Sequence, residues 1–244
     1  MSPLSLSRCI AVVVILVFSF TLSGCTAGKM TTSSKVADNT YEHDPVTTSA
    51  QAFKLLEDGN LRFTSDQAMQ DNVSIAKRAD LSTNGQKPFA TILSCSDSRV
   101  PPELIFDQAL GDLFVVRDAG NIVDPVIMGS IEYGAEHLGT SVIIVLGHEK
   151  CGAVKATVDG GHPEGSIGEI VKRIQPAYEL VMTSNKLIKL EKDAYYTQTE
   201  DQNIRNAVQE VIKSDIIKKL IEEKKVIVIG AKYDLDTGKV EYIK

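Results

Sequence analysis

Phe89-Ala90-Thr91-Ile92-Leu93-Ser94-Cys95-Ser96-Asp97-Ser98-Arg99-Val100-Pro101-Pro102 decides how this chain is read. Phe89 to Leu93 is a largely apolar run of strand length, and Pro101-Pro102 stops that strand from continuing. Cys95, Asp97 and Arg99 therefore fall at the carboxyl end of a strand, where open α/β sheets carry their sites. A second segment has the same build: Val142-Ile143-Ile144-Val145-Leu146 runs into Gly147-His148-Glu149-Lys150-Cys151-Gly152. Two thiols and an imidazole at two strand ends form a Cys2His donor set. That set suits zinc, with one position left for water or an exchangeable carboxylate.

The rest of the chain bounds this reading. Its 244 residues allow one large domain or two small ones, and a formal net charge of −6 without any basic run argues against nucleic acid as a partner. Arg8 followed by the apolar run Ile10 to Phe18 is too short to span a bilayer comfortably and reads as the core of a signal peptide. Leu22-Ser23-Gly24-Cys25 comes next and resembles the lipobox of bacterial lipoproteins. That resemblance implies cleavage before Cys25, lipid on its thiol and amine, and a membrane anchor facing the periplasm. Thr26, where an aspartate is associated with inner-membrane retention, favours the outer membrane. Residues 1–24 are then a leader, 25–49 a Ser/Thr-rich flexible tether carrying His43, and 50–244 the folded domain. Cys9 leaves with the leader and Cys25 is lipidated, so Cys95 and Cys151 are the remaining thiols. In an oxidising compartment they could pair as a disulfide. Their placement beside His148 and Asp97 points to a metal instead.

Along the domain, Ala50 to about Met69 has the apolar spacing of a helix weakened by Gly59, and Asp71 to Gln86 is polar and ends in the turn pair Asn84-Gly85. Leu113 to Val116 is a second strand. Asp124-Pro125 starts a helix that Gly139 closes. Ile167 to Val181 has helical spacing interrupted at Pro176, Asp193 to Thr199 reads as a polar loop, and Ile204 to Ile212 resumes the helical period. Ser214 or Asp215 caps a further helix, Val226 to Ile229 is a fourth strand, and Val240 to Ile243 is an edge strand. Apolar strands separated by helices predict an α/β fold, a mainly parallel sheet covered on both faces.

Cys95-x-Asp97-x-Arg99 with His148-x-x-Cys151, set among Gly111-Asp112-Leu113-Phe114-Val115-Val116-Arg117, Ala119-Gly120-Asn121 and Gly230-Ala231-Lys232-Tyr233-Asp234, resembles the β-class carbonic anhydrases over residues 50 to 244. The resemblance implies a four-stranded parallel sheet of order 2-1-3-4 with an added edge strand. It implies a homodimer or homotetramer, one zinc per chain on Cys95, His148 and Cys151, and reversible hydration of carbon dioxide to bicarbonate by a zinc-activated water. Asp97 would orient that water while Arg99 holds it, or bind the zinc as fourth ligand in a closed state. Gln86, Phe114 and Tyr133 match the spacing of residues that surround the substrate in one subtype, and the Gly152 N–H is a further donor. Asp118 stands where the family commonly has asparagine. The alternatives are hydrolysis of carbonyl sulfide or carbon disulfide on the same fold, or a zinc or dithiol protein without catalysis. The lipobox reading predicts that Cys25→Ala leaves the enzyme active but released from the membrane fraction; continued attachment on fractionation would refute it.

Overall fold

The computed structural model describes residues 43–69, 73–161, 163–188 and 190–243. The leader, Cys25, most of the tether and His162 lie outside the described residues.

The sheet has the order β2-β1-β3-β4-β5. Strands β1 (Ala90–Cys95), β2 (Leu113–Asp118), β3 (Val142–His148) and β4 (Ile227–Tyr233) run parallel, and β5 (Val240–Ile243) is antiparallel to β4. Every residue of β1 and β3 is buried, as expected for central strands covered on both faces. Alternate side chains go to two cores. On one face Ile92, Ile144 and Leu146 meet Ala52 and Leu56 of α1 (Ser49–Thr64) and Ile105 of α3 (Pro102–Ile105). On the other, Leu93, Ile143 and Val145 meet Ile131 of α4 (Pro125–Glu132), Ile204, Ala207 and Val211 of α7 (Lys192–Lys213), and Ile217 of α8 (Asp215–Glu222). Each fully buried isoleucine or leucine contributes about 1.5–3 kcal/mol. The described residues include no helix long and apolar enough to cross a membrane.

Helix starts follow local chemistry. The Asp124 side chain accepts from the Val126 and Ile127 amides, and Pro125 takes the first helical position. Helix α4 then widens into a π turn over Tyr133–His137 before Gly139 (φ +76°) ends the segment. Ser214 caps α8 by accepting from the Ile217 amide.

Several elements differ from the sequence reading. Gly59 is not a weak point in α1: a Cβ there would lie 1.7 Å from the Phe106 carbonyl oxygen, so glycine is what lets α1 sit against the residue after α3. Its neighbour Asn60 ties three segments together, donating to the Ile105 and Gly238 carbonyls and accepting from the Val240 amide. The polar stretch after α1 contains a helix, α2 (Ile75–Asn84), which buries none of its residues and depends on its Ser74 cap. Pro176 does not break α6 (Ile167–Ser184), because the carbonyl it deprives of a partner belongs to exposed Lys172. The stretch Asp193–Thr199, read as a loop, is the start of α7. Its inward face carries Thr199, Glu200 and Asn203, so the apolar period that betrays a helix is missing.

The end of the expected tether is also packed. Val46 lies against the α1-side core, and the His43 ring meets Phe89 edge-on at 5.3 Å. His43 Nε2 is 3.5 Å from the Asp112 carboxylate. That contact raises the His43 pKa above its ordinary 6.5, with the Asp44 carbonyl adding to it, while partial burial and Lys77 oppose. A raised folded-state pKa gives stabilisation that is complete below about 6.5 and is lost as pH rises through the folded value. His43→Gln is therefore expected to flatten the decline in denaturation midpoint across the neutral pH range. An unchanged pH profile would show that this contact carries no stability.

Candidate metal centre

Parallel pairing sets Ala90 to Ser94 of β1 opposite Val142 to Leu146 of β3, so the two strands end at the same level. Cys95 closes one and His148 the other. After His148 the chain reverses through Glu149 and Lys150, the latter in the left-handed region (φ +55°), and Cys151 takes the N-cap position of α5 (Gly152–Asp159). The ligand atoms of Cys95, His148 and Cys151 all lie within 4.8 Å of one another, and all three residues are buried. The reversal is pinned on both sides: the Glu149 amide donates to the Tyr233 carbonyl at 3.1 Å, and Arg99 Nη2 donates to the Lys150 carbonyl at 3.4 Å.

The donor set fits a metal. His148 Nδ1 lies 2.8 Å from the Glu149 carbonyl oxygen. A carbonyl only accepts, so this contact assigns the ring proton to Nδ1 and the lone pair to Nε2. Nε2 is completely buried and has no hydrogen-bond partner among the described residues. An unsatisfied buried polar atom costs about 1–3 kcal/mol; beside two thiols, a cation satisfies it. The sulfurs are poised for the same role. Cys95 is free, and the adjacent Cys151 thiol, then His148 and the Gly120 N–H, push its pKa well below the usual thiol range against the effect of burial. Cys151 is correspondingly held up by Cys95 and by burial. Binding of a metal there would displace the protons of both thiols.

Asp97 stands over this group. Arg99 grips its carboxylate in a fork, Nε to Oδ1 at 2.9 Å and Nη2 to Oδ2 at 2.7 Å, and the Arg99 amide adds 2.9 Å to Oδ1. The clamp holds the Asp97 carboxyl far below the usual carboxylate range. Oδ2 is 3.9 Å from His148 Nε2, so the clamped carboxylate faces the place where a metal would sit. Arg117 fixes the intervening backbone: it donates to the Cys95 carbonyl at 2.9 and 3.1 Å and to the Asp97 carbonyl at 2.8 Å. Asp118 keeps one half of an asparagine's work, since Oδ1 accepts from the Ile122 amide at 2.9 Å. Its Oδ2 is buried without a hydrogen-bond partner among the described residues, and burial, with help from the Cys95 and Asp124 charges, pushes its pKa up to about 7.

The proposed substrate residues fall in two places. Gly152 follows Cys151 at the start of α5, beside the centre. Phe114 and Tyr133 are in contact, ring centroids 6.0 Å apart, but they are not at this chain's own metal ligands. Phe114 pairs with Thr91, four residues before Cys95 and so roughly 13 Å down the strand. Gln86 is exposed in the segment that enters β1 and lines a cavity of about 950 Å³ with His43, Glu136 and His137, at the amino end of the sheet. The supporting residues invisible to the sequence reading are on α7 and β4. Glu200 accepts from the Cys151 amide, Asn203 donates to the Gly120 carbonyl, and Lys232 neutralises Glu200. No apolar period marks Glu200 and Asn203 in the sequence, and the stretch before them reads as a loop.

Comparison with known proteins agrees with this geometry. Residues 90–240 match the family model described as carbonic anhydrase. A carbonic anhydrase of Mycolicibacterium smegmatis is 38% identical over 195 residues, 78% of this chain and 91% of that protein. The β-carbonic anhydrase of Coccomyxa, solved with acetazolamide, superposes with a TM-score of 0.62 at 27% identity, covering 76% of this chain and 83% of the other. One of two tetrameric β-carbonic anhydrases of Sordaria macrospora shares the fold with a TM-score of 0.64 at 23% identity, covering 79% and 97%. By its matched sequence, its sheet and its two cysteine–histidine strand ends, this chain belongs to the β-class carbonic anhydrase family.

Proposed function

We propose that the chain catalyses the reversible conversion of carbon dioxide and water into bicarbonate and a proton, with zinc held by Cys95, His148 and Cys151. The observation that carries the metal reading is the buried, unpartnered Nε2 of His148 flanked by two thiols. Zinc bound there supplies a Lewis acid that acidifies a coordinated water at neutral pH. The protein's own groups do the rest. Arg99 keeps Asp97 ionised and aimed, so that this carboxylate accepts a hydrogen bond from the attacking water and leaves one oxygen lone pair directed at the carbon. The Gly152 N–H, at the start of α5, donates to the oxygen on which bicarbonate charge develops. Arg117 holds the Cys95 and Asp97 carbonyls still while this happens.

Gln86, Phe114 and Tyr133 belong to the substrate pocket in this reading, and their distance from the chain's own ligands means they serve a second copy's centre. A homodimer, or a homotetramer like that of the Sordaria enzymes, follows. The exposure of Tyr133 and Val126 near the β2 edge supports such a face. Lipid on Cys25 would tether the assembly to a bacterial membrane, on the periplasmic side.

Wild-type protein is expected to carry one zinc per chain and to accelerate carbon dioxide hydration in a stopped-flow assay. A zinc-loaded protein without that activity would falsify the proposal. Cys151→Ala should lose zinc and activity together. Asp97→Ala should retain zinc yet turn over about 10²- to 10⁴-fold more slowly; unchanged turnover would make the carboxylate a bystander.

A further inference from the structure

Helix α7 lies unusually close to the sheet. A Cβ on Gly147 of β3 would come within 2.5 Å of the Ile204 side chain, and one on Gly230 of β4 within 2.9 Å. The two glycines let Ile204 rest on the backbone of β3 and β4, and the preceding turn of α7 carries two buried polar residues. These two each reach the surroundings of one sulfur: Glu200 the backbone of Cys151, and Asn203 the segment after β2 whose Gly120 amide meets Cys95. Glu200 Oε1 accepts the Cys151 amide at 3.2 Å. Asn203 Nδ2 donates to the Gly120 carbonyl at 2.8 Å, and the Gly120 amide in turn donates to Cys95 Sγ at 3.3 Å.

A buried carboxylate costs several kcal/mol unless its oxygens are matched. Glu200 has its match: Oε2 is 2.9 Å from Lys232 Nζ, while Oε1 is given to Cys151. An ion pair whose purpose was to fasten α7 to β4 would not need Glu200, because Lys232 also meets Asp201 of the same helix at 2.9 Å. What Glu200 adds is an acceptor at the backbone of a metal ligand. Asn203, uncharged, adds the matching hold on the other sulfur.

We propose that Glu200 and Asn203 are positioning residues that fix the separation and direction of the two sulfur ligands, with Lys232 present to make the Glu200 carboxylate tolerable. This rests on the zinc reading above. The device acts through hydrogen bonds to backbone, so it requires an acceptor at position 200 and a donor at position 203, not a charge pair between α7 and β4.

Two double variants of the full-length, zinc-loaded protein separate these requirements. Glu200→Gln with Lys232→Met keeps an acceptor for the Cys151 amide and removes the ion pair. Glu200→Lys with Lys232→Glu keeps an ion pair and removes the acceptor. The readout is the rate of zinc release to a chelating dye. The charge-swapped protein is expected to release zinc about 10- to 100-fold faster than wild type, and the Gln/Met protein at close to the wild-type rate. Equal release from the two, or faster release from the Gln/Met protein, overturns the Glu200 assignment. Asn203→Ala changes no charge and tests the other arm without risk to the ion pair; about tenfold faster release is expected, and an unchanged rate overturns it. Wild-type protein that holds no zinc and takes up none refutes the metal reading itself, an outcome distinct from zinc-loaded wild type whose variants all release alike.

Discussion

Everything at the centre depends on β1 and β3 ending at the same height. Their parallel register sets Ser94 against Leu146, so each strand delivers its ligand, Cys95 or His148, at the same edge of the sheet. A slip of one residue would turn each strand's core side chains to the opposite face and shift Cys95 along the strand relative to His148. The register is held by the two cores: Ile92 and Ile144 face α1 and α3 while Leu93, Ile143 and Val145 face α4 and α7, and neither set tolerates exchange with the other. The hydrophobic effect, which is blind to direction, thus places a chemically directional site.

The electrostatics around the ligands are layered. Innermost are two sulfurs and one imidazole nitrogen. Next come groups that act on the ligand residues away from their reactive atoms: Arg117 on the Cys95 carbonyl, Glu200 on the Cys151 amide, the Glu149 carbonyl on His148 Nδ1. Outermost are the charges that balance these, Lys232 for Glu200 and Arg99 for Asp97. Each inner group is directional because the next one fixes it. The arrangement therefore loses precision, not composition, when an outer member is removed.

Much of this was legible in the sequence. The strand runs before Cys95 and His148, the proline stop at Pro101-Pro102 and the Asp124-Pro125 helix start are local signals, and the sheet order follows the family they resemble. What stayed hidden was hidden for physical reasons. Residues 192–203 bury polar side chains, so a reading based on apolar period takes a helix for a loop. Gly59, Gly147 and Gly230 are spacers whose purpose lies in a neighbour far along the chain, Phe106 or Ile204. Helix α2 fully buries none of its residues and starts on its Ser74 cap. His43 looks like part of a solvated linker until Phe89 and Asp112 are found beside it. Gln86, Phe114 and Tyr133 match a spacing, but spacing does not say whose metal they face.

Arg99 connects the centre to the outside. Its side chain is half exposed, whereas the Asp97 carboxylate it grips is only 18% exposed and the ligands beneath are buried. The guanidinium is thus the point at which the surrounding medium touches an otherwise enclosed set of charges. Dissolved salt screens the fork itself. The ionic composition of the medium therefore reaches the aim of Asp97 through one side chain, without any anion having to enter the buried centre.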